Sequence, residues 1–589
     1  MKYINAIVAI VLSSPFISAQ SLPPALAADS ARITSDALAR AYVTPKKILA
    51  TEGKVVGADL LLVPGTGQTD IFDNGMCRMV STDDSTASIL LDFGRELTGG
   101  IRITISACSP VVTPRMRVRL GESVSESCSD LKSSPTSTDG KKNTATNDHA
   151  MRDMALTVPF YGQIETGNSG FRFARIDLLD KNVTINLKEV EAVMRYRDIP
   201  YTGSFSCSDP RLTEIWDTGA YTVHLCLQEY LWDGVKRDRL IWLGDMHPET
   251  STIAAVFGSD PTVERTLDLA CKQWPLPRWF NDMSAYSLWY LIIQHDWYMQ
   301  SGNKPFLERH APYIAGLIDR IESLVDEDGT ERLSTYRFLD WPSSTDQAGV
   351  EAGYRALISW AMQSGEKLSK ILADNDRAEK CRKVLKRMNR KKHPHNGLKQ
   401  AAALMAIAGT EDADNACKTG VSIGGAKGFS TFGGYYMLEA LAKAGRHDEA
   451  IGIIRDFWGA MLDLGATTFW EDFDLEWAKN AGPIDRLPRN GETDIHADFG
   501  GYCYVGHRHS LCHGWASGPT AWMSRHILGV EVIEPGCRTV RIAPHLGDLE
   551  WAQGTYPTPY GAISVHHRRN SDGSIESTIN APEEIKIIK

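Results

Sequence analysis

The chain has 589 residues, of which 43% are hydrophobic and 23% are charged, and its formal net charge is -10. This length predicts about two to four globular domains, and the acidic balance argues against a nucleic-acid partner. The one basic run, residues 382–392, spaces its apolar residues like a helix and contains no aromatic residue. We therefore interpret it as a solvated helix face rather than a polyanion site.

Residues 1–19 have the pattern of a secretory signal peptide. Lys2 supplies the positive start, an apolar run extends from Ile4 to Leu12, and small residues precede the expected cleavage point at Ala19. The apolar run is too short to span a bilayer, and no cysteine for a lipid anchor follows Ala19. We expect an exported protein, periplasmic or secreted, with no membrane partner.

The 11 cysteines are scattered between Cys77 and Cys537, with no C-x-x-C pair and no zinc-like spacing. Because their number is odd, at least one stays unpaired within a monomer, and the pairing of the others cannot be read from the sequence. The cysteine spacing makes a structural zinc site improbable, and we expect no cofactor. The sequence leaves open the oligomeric state and whether a structural calcium ion is bound.

Residues 20–200 are predicted to form a β-sandwich. Apolar and β-branched segments recur there between Gly, Asp and Ser turns, as at residues 88–93, 100–105 and 171–178. The clearest alternation is at residues 115–120, where Met116, Val118 and Leu120 fall on one face and arginines on the other. The polar stretch 123–148 is predicted to be a loop.

Residues 201–529 are predicted to be a helical domain, entered through a linker at residues 200–209. Ser208 or Asp209 is suited to cap a helix that begins at Pro210. Apolar, helix-forming segments follow at residues 288–293, 352–360, 401–406 and 435–442. Many helices joined by Gly, Pro and Asp loops over this length fit an (α/α)6 toroid.

Residues 530–589 contain short strand-like segments after a Pro-Gly break and are predicted to form a small C-terminal β-sandwich. The expected fold is therefore multidomain, with a central all-α toroid flanked by two β domains.

Residues 232–249 combine charged and aromatic side chains at unusual density. They are Trp232, Asp233, Lys236, Arg237, Asp238, Arg239, Trp242 and Asp245. If Asp238 and Asp245 share a helix, their spacing brings both carboxylates to one face, where burial is costly unless they are paired or bind a ligand. A sugar pocket would use such charges for hydroxyls and the tryptophans for the ring face. The alternative is a solvated helix face held by two core tryptophans.

A second carboxylate, Glu471, follows Trp470 and a Gly/Thr turn rather than lying within a helix. Further on, His507, His509 and His513 fall within seven residues, but their spacing fits no common zinc motif. We interpret these histidines as donors to sugar hydroxyls rather than as metal ligands.

The loop pair Asp340–Trp341, directly before Pro342, also favours a binding role, and further loop candidates are Trp279 and His247. No G-x-S-x-G elbow and no P-loop occurs in the sequence. Two separated carboxylate loops on a helical toroid match inverting glycoside hydrolysis, in which one acid protonates the leaving oxygen and the other carboxylate activates water.

These motifs closely resemble those of the α-L-rhamnosidases of glycoside hydrolase family 78. Residues 233–245 resemble the family's acid motif, residues 465–471 its base motif, and residues 510–515 the loop that carries its pocket histidine. Weaker similarities at residues 92–100 and 165–177 extend the resemblance over nearly the whole chain after the predicted signal peptide.

The resemblance implies an exo-acting, inverting hydrolase that releases terminal α-L-rhamnose from a carbohydrate partner. It implies Asp238 as the general acid and Glu471 as the general base. The implied substrate-binding residues are Asp233, Arg237, Trp242, Asp245, Asp340, Trp341 and His513. Many family members carry Glu at the acid position, so Asp238 must recover one methylene of reach through the placement of its backbone.

Two alternatives remain open. A lyase acting on rhamnose–glucuronate linkages would release an unsaturated product and would not need a water-activating Glu471. A non-catalytic rhamnoside-binding protein would bind without turnover. The joint presence of Asp233, Asp238, Asp245 and Glu471 favours the hydrolase over both.

Overall fold

The computed structural model describes residues 37–69, 75–130, 151–334, 336–501 and 506–589. The predicted signal peptide and most of the predicted loop 123–148 lie outside these ranges. Within them, all ten cysteines are free thiols. No helix in the described part of the chain has the length and apolarity needed to cross a membrane.

The N-terminal part is a sheet domain whose strands are hydrogen-bonded into one antiparallel network. The strands are β1 (Ala39–Val43), β2 (Lys47–Glu52), β3 (Lys54–Val56), β4 (Cys77–Val80), β5 (Ser88–Ser109), β6 (Arg115–Gly121), β7 (Asp153–Thr157), β8 (Gly162–Leu178) and β9 (Thr184–Tyr196). Strand β5 pairs with β8 on both sides of two bulges, with β2 through its first residues and with β9 through its second half.

The alternation predicted for residues 115–120 is confirmed in β6. Met116, Val118 and Leu120 are buried in the apolar core of this domain, and the arginines between them form ion pairs on the other face. The predicted loop 123–148 is wrong at its start, because Ser123 caps a short helix α1 (Val124–Cys128) by accepting a hydrogen bond from the Glu126 amide.

The helical domain follows β10 (Ser204–Cys207). Its helices are α2 (Pro210–Cys226), α3 (Met246–Val256), α4 (Pro261–Gln273), α5 (Ser284–Ser301), α6 (Lys304–Ser323), α7 (Gln347–Ile371), α8 (Asn375–Met388), α9 (Lys399–Ala408), α10 (Ala413–Ala416), α11 (Gly433–Lys443), α12 (His447–Asp463) and α13 (Gly518–His526). A small parallel pair, β11 (Ala481–Gly482) and β12 (Thr493–Asp494), lies between α12 and α13.

Alternate helices form a closed circuit of contacts. Helix α3 packs on α5, α5 on α7, α7 on α9, α9 on α11, α11 on α13, and α13 again on α3. The predicted cap is confirmed at the first helix, where Asp209 accepts from the Arg211 amide and Pro210 opens α2. The basic run lies on and just beyond α8, which buries Val384 and Met388 and pairs its cations with carboxylates at the surface.

The C-terminal part contains two small sheets. One orders β10, β15 (Trp551–Thr558), β16 (Gly561–Arg569) and β17 (Ile575–Asn580), and the other orders β13 (Val530–Val532), β14 (Thr539–Ile542) and β18 (Lys586–Ile588). The linker predicted at residues 200–209 is thus partly wrong, because β10 pairs with β15 from the far end of the chain. Both parts share one continuous apolar core, which extends from Phe205 to Ile585.

The N-terminal sheet contacts the helical domain through a buried ion pair and a close backbone approach. Arg172 on β8 donates to both oxygens of Asp92 at 2.9 Å, and its third contact is the carbonyl of Gly465 at 3.0 Å, just after α12. Nearby, a Cβ at Gly170 would lie 2.5 Å from the Val235 side chain and 3.1 Å from the Lys236 amide, so only glycine fits this approach.

We predict that Arg172→Met destabilises the protein by about 3–5 kcal/mol, because it leaves the Asp92 carboxylate buried without its cation. The side chains of this pair are 9% and 2% exposed. The matched control is Arg115→Met, whose pair with Asp180 is 64% and 28% exposed, and it should cost no more than about 1 kcal/mol. Thermal unfolding followed by circular dichroism measures both variants, and equal losses would contradict the prediction.

Candidate active site

The segment between α2 and α3 carries the first carboxylate cluster, and it is irregular rather than helical. Asp238 and Arg239 have φ angles of 56° and 55°, in the left-handed region that non-glycine residues seldom adopt. The idea that Asp238 and Asp245 share a helix is therefore wrong, since Asp245 immediately precedes α3 and Asp238 lies in the loop. The two carboxylates converge through loop geometry instead.

Asp238 is buried between a cation and a tryptophan. Its Oδ1 lies 3.3 Å from Nη1 of Arg237, and its Oδ2 accepts a hydrogen bond of 3.1 Å from Nε1 of Trp242. Burial raises the pKa of Asp238, Arg237 opposes that shift, and the charge of Glu471 adds to it. The net direction is upward, so the carboxyl group holds its proton to a higher pH than an ordinary aspartate.

Glu471, which is distant from Asp238 in sequence, contacts the same arginine. Its Oε1 pairs with Nη2 of Arg237, so one guanidinium lies between the two carboxyl groups. The Ser510 amide donates to Oε2 at 3.3 Å, and the Glu471 amide donates to the Ser510 carbonyl at 2.9 Å. Thr431 and Trp515 donate to the Glu471 carbonyl at 2.7 and 2.8 Å. Both the side chain and the backbone of Glu471 are therefore held.

His513 joins the two carboxylate clusters. Its Nε2 lies 3.0 Å from Oδ2 of Asp245, whose Oδ1 accepts from the Tyr286 hydroxyl at 3.0 Å. Burial alone would lower the pKa of His513, but Glu471, Asp245 and Asp233 raise it to about 9. Its buried Nδ1 lies 4.0 Å from Oε1 of Glu471 and has no hydrogen-bond partner among the described residues. The imidazolium therefore presents one N–H to the site.

Two further acids lie beneath this cluster. Asp233 accepts from the Leu240 amide at 2.9 Å, and burial together with Asp238 and Asp245 holds its pKa well above the ordinary value despite His513. Glu249, one turn into α3, was missed by sequence reasoning although it ends the 232–249 stretch. Burial holds its pKa well above the ordinary value, and its carboxyl group packs against Gly514.

Asp340 and Trp341 stand one step outside this contact network. Asp340 accepts from Ser430, from the Trp341 amide at 2.9 Å and from Gln400 at 3.4 Å, and burial raises its pKa to about 6. Burial, and after it the charge of Asp340, holds the pKa of Asp472, the neighbour of Glu471, well above its ordinary value. Trp341 is half-buried and packs edge-on against Phe338, with ring centroids 4.9 Å apart.

The two weaker loop candidates lie elsewhere. His247 is buried within α3 and packs against the rings of Trp289 and Tyr436, with centroid distances of 5.2 and 5.7 Å, so it is a core residue. Trp279 packs beneath the Arg320 guanidinium at 3.9 Å.

Sequence reasoning placed Lys236 in the charged stretch 232–249 but missed its structural role. It is fully buried and lies 3.0 Å from Glu122 and 3.2 Å from Glu126, both of the N-terminal domain. Its ammonium also donates to the carbonyls of His507 and His509, each at 2.7 Å. Lys236 therefore connects the acid motif, the N-terminal domain and the loop before His513.

Glu122 continues this connection toward Glu471. It accepts from the Leu511 amide at 2.6 Å, and Leu511 follows the Ser510 amide that donates to Glu471. Burial raises the pKa of Glu122 to about 7, with Lys236 opposing the shift. The signal that could have found this residue is the Gly-Glu-Ser sequence after a strand, but its partner is more than 100 residues away.

The three closely spaced histidines diverge in the structure. His507 contacts Ser125 at 3.1 Å, His509 accepts from the Asp472 amide at 3.0 Å, and His513 pairs with Asp245. A different group, Glu122, Glu126 and His496, has ligand atoms within 4.8 Å of one another, a spacing that could hold a metal ion. The Lys236 ammonium lies 3.0–3.2 Å from all three and supplies the positive charge there.

Models of two known domains match separate parts of the chain. A sequence model described as the bacterial α-L-rhamnosidase six-hairpin glycosidase domain matches residues 200–395. A second, the bacterial α-L-rhamnosidase C-terminal domain, matches residues 529–587. Two segments of the chain thus match domain models of the bacterial α-L-rhamnosidases, and the predicted family resemblance is confirmed.

Individual relatives are distant. An α-L-rhamnosidase of Alteromonas sp. (strain LOR) is 23% identical over 456 residues, which cover 69% of this chain and 46% of the relative. The family 78 rhamnosidase of Bacillus sp. GL1 superimposes with a TM-score of 0.71 at 21% identity, over 90% of this chain and 55% of that one.

A Klebsiella oxytoca rhamnosidase with rhamnose bound gives a TM-score of 0.62 at 20% identity, over 83% of this chain and 96% of its own. The chain spans about half the length of the Alteromonas and Bacillus relatives. At these identities the superpositions establish the fold, not the substrate.

We predict that His513 makes stability depend on pH in the alkaline range. Its folded pKa is about 9, above the unfolded value of about 6.5, so its contribution is complete below pH ~6.5 and is lost as the pH rises through ~9. Thermal midpoints measured from pH 6.5 to 9.5 should fall in the wild type by the equivalent of a few kcal/mol. His513→Gln should lack this fall, whereas the exposed His566→Gln should retain it. Parallel curves for the wild type and His513→Gln would contradict the assignment.

Proposed function

We propose that this protein is an exo-acting α-L-rhamnosidase that hydrolyses terminal α-L-rhamnosides with inversion. The observation that carries the proposal is the pairing of Asp238 and Glu471, 233 positions apart in sequence, with the two amino groups of one buried guanidinium. The arrangement supplies two carboxyl groups at one buried centre, and the matching domains supply the family context.

In this proposal Asp238 is the general acid and Glu471 the general base. The raised pKa of Asp238 supports a carboxyl group that still carries a proton when substrate binds. Arg237 and His513 place two cationic groups beside Glu471, and such a position suits a water-activating base. Inversion requires a separation of about 6.5–9.5 Å between the two carboxyl groups, so that a water molecule fits between the base and the sugar.

The remaining predicted residues would bind the sugar. Asp233, Asp245 and His513 offer acceptors and a donor for hydroxyl groups, and Trp242 offers a ring face beside the acid. Asp340 and Trp341 would bind the sugar from a position further out in the pocket. Arg237 would keep the two carboxyl groups apart.

The left-handed backbone at Asp238 and Arg239 supports the use of aspartate where many relatives have glutamate. Such a strained conformation persists where surrounding contacts impose it, and it displaces the carboxyl group relative to an ordinary turn. The placement of the backbone would then supply the reach that the missing methylene does not.

The wider architecture belongs to the same proposal. The closed circuit of α3, α5, α7, α9, α11 and α13 supports an (α/α)6 toroid, and the strand networks at either end support sandwich domains. Export through the predicted signal peptide 1–19 stays a prediction, as does the domain division at residues 200 and 529.

The first test is the stereochemistry of the product. Proton NMR of the enzyme acting on methyl α-L-rhamnoside should show the β-anomer of rhamnose first, followed by mutarotation, because water attacks opposite the leaving group. Initial release of α-rhamnose would contradict inversion. A vinylic proton signal from a rhamnosyl-glucuronate substrate, without rhamnose release from any substrate, would indicate the lyase instead.

The second test replaces the carboxyl group of each proposed catalytic residue by an amide. Asp238→Asn and Glu471→Gln should each lower kcat by a factor on the order of 10²–10⁴, because each change abolishes one proton transfer. The matched control is Glu476→Gln, an exposed carboxylate on the same loop, which should retain wild-type kcat. Retention of more than about a tenth of kcat in Glu471→Gln would reject its role as the base.

A further inference from the structure

We propose that Cys226 and Cys512 form a disulfide bond with each other while the chain folds in an oxidising compartment. The bond would join the end of α2 to the loop 510–513, which carries the Ser510 amide and His513. In the structure both cysteines are free thiols, and both are fully buried. The inference concerns a covalent modification and not the proposed activity, so its test uses no substrate.

The two thiol groups are in hydrogen-bond contact with each other. Each sulfur atom is also directed at the segment that carries the other cysteine. Sγ of Cys226 lies 3.7 Å from the Asp233 carbonyl oxygen. That oxygen accepts a hydrogen bond of 2.8 Å from the Gly514 amide, which follows the loop of Cys512. Sγ of Cys512 lies 4.0 Å from the Thr222 carbonyl oxygen, one helical turn before Cys226. Two cysteines can be bridged only when their side chains point toward each other, and this pair meets that condition.

The backbone on both sides of the pair is already held in place. Gly234 and His513 form an isolated antiparallel bridge, and a Cβ at Gly234 would lie only 3.0 Å from the Cys512 carbonyl oxygen. On the other side, the Thr222 hydroxyl accepts a hydrogen bond of 2.9 Å from the Phe469 amide. The bond can therefore form with little displacement of α2 or of the loop.

Other buried or half-buried thiols are directed at different groups. Cys271 contacts the Tyr290 hydroxyl at 3.6 Å, and Cys417 contacts the Ala440 carbonyl at 3.5 Å. Among these described thiols, the fold brings the sulfur atoms of Cys226 and Cys512 together. Disulfides persist in an oxidising compartment, to which the predicted signal peptide would direct the chain.

The oxidant in this proposal is an external disulfide, such as that of oxidised glutathione. A thiolate formed at one cysteine attacks it, which produces a mixed disulfide and releases one external thiol. The second cysteine then attacks the mixed disulfide, forms the bond between Cys226 and Cys512 and releases the second external thiol. The two cysteines lose two protons and two electrons, and the external disulfide is reduced to two thiols.

Burial decides when this exchange can take place. Burial, and after it the neighbouring Cys226 thiol, holds the pKa of Cys512 well above its ordinary value, so the folded protein contains little reactive thiolate there. Neither sulfur is open to an external disulfide once α2 and the loop have packed. Oxidation therefore precedes the closure of these segments, and the same burial then protects the finished bond from reductants.

The test is cell-free synthesis of the full chain under two redox conditions. One reaction contains oxidised and reduced glutathione, and the other contains an excess of dithiothreitol. Soluble protein from each reaction is alkylated with iodoacetamide, digested without reductant and analysed by mass spectrometry. With glutathione we expect two peptides linked through Cys226 and Cys512. With dithiothreitol we expect both cysteines to be alkylated once the protein has been unfolded for digestion.

The matched variants are Cys226→Ser and Cys381→Ser. Both replace a fully buried thiol, but Cys381 lies on α8, away from the pair. In the glutathione reaction, Cys226→Ser should leave Cys512 alkylated, whereas Cys381→Ser should retain the linked peptides. Alkylation of both cysteines in the soluble wild-type chain made with glutathione would overturn the proposal. A bond from either one to a different cysteine would also overturn it.

A second measurement tests the effect of the bond on the fold and needs no variant. The oxidised wild type should unfold at a temperature at least about 5 °C higher than the reduced wild type, because the bond closes a long loop of the unfolded chain. Equal midpoints in a chain that carries the bond would contradict the conclusion that it forms without displacing α2 and the loop.

Discussion

The ion pairs and hydrogen bonds of the buried Lys236 ammonium are the interactions on which the centre of this protein depends. A fully buried lysine is costly unless its charge is matched and its hydrogen bonds are made. Here Glu122 and Glu126 supply the charge, and the carbonyls of His507 and His509 supply the remaining acceptors. Because Lys236 immediately precedes Arg237 and Asp238, and because Glu122 holds the loop that contacts Glu471, one cation aligns segments from three distant parts of the chain. The N-terminal domain is therefore part of the centre and not an appendage to it.

Carboxyl groups outnumber cations around this centre, and this excess of acids goes together with raised pKa values. Burial is the main cause that raises the pKa of Asp233, Asp238, Asp245 and Glu249, and a nearby carboxylate adds to each shift. That carboxylate is Glu471 for Asp238 and Asp245, whereas Asp233 and Glu249 are affected by other members of the group. The same field raises the pKa of His513 to about 9. In the proposed mechanism Asp238 would carry a proton and Glu471 would not. Glu471 lies beside both cations, whereas Asp238 shares one of them and faces Trp242 on its other side.

The spacing of apolar residues and the residue composition were sufficient to predict the order of sheet, helical and sheet segments. They also predicted the helix cap at Asp209. Motif resemblance singled out Asp238 and Glu471, but it could not show that Arg237 lies between them. The prediction that residues 238–245 could share a helix was wrong. Asp238 and Arg239 both have a left-handed backbone, and the spacing of apolar residues in the sequence does not reveal such a conformation. The structural roles of Lys236 and Glu122 were missed for a different reason. Each residue looks like an ordinary surface charge until tertiary structure buries the pair, and partners more than 100 residues apart carry no local signal.

The strand β10 has a consequence for how the chain reaches its native state. Residues 204–207 pair with residues 552–555, so this ladder cannot form until nearly the whole polypeptide has been synthesised. Closing so long a loop is entropically slow, and the apolar core shared by the helical and C-terminal parts has to wait for the same event. The helices that emerge first would remain an open, unsealed array, with the exposed edge of β10 available to wrong partners. Premature termination shortly before residue 550 should for this reason yield an aggregation-prone chain rather than a smaller enzyme.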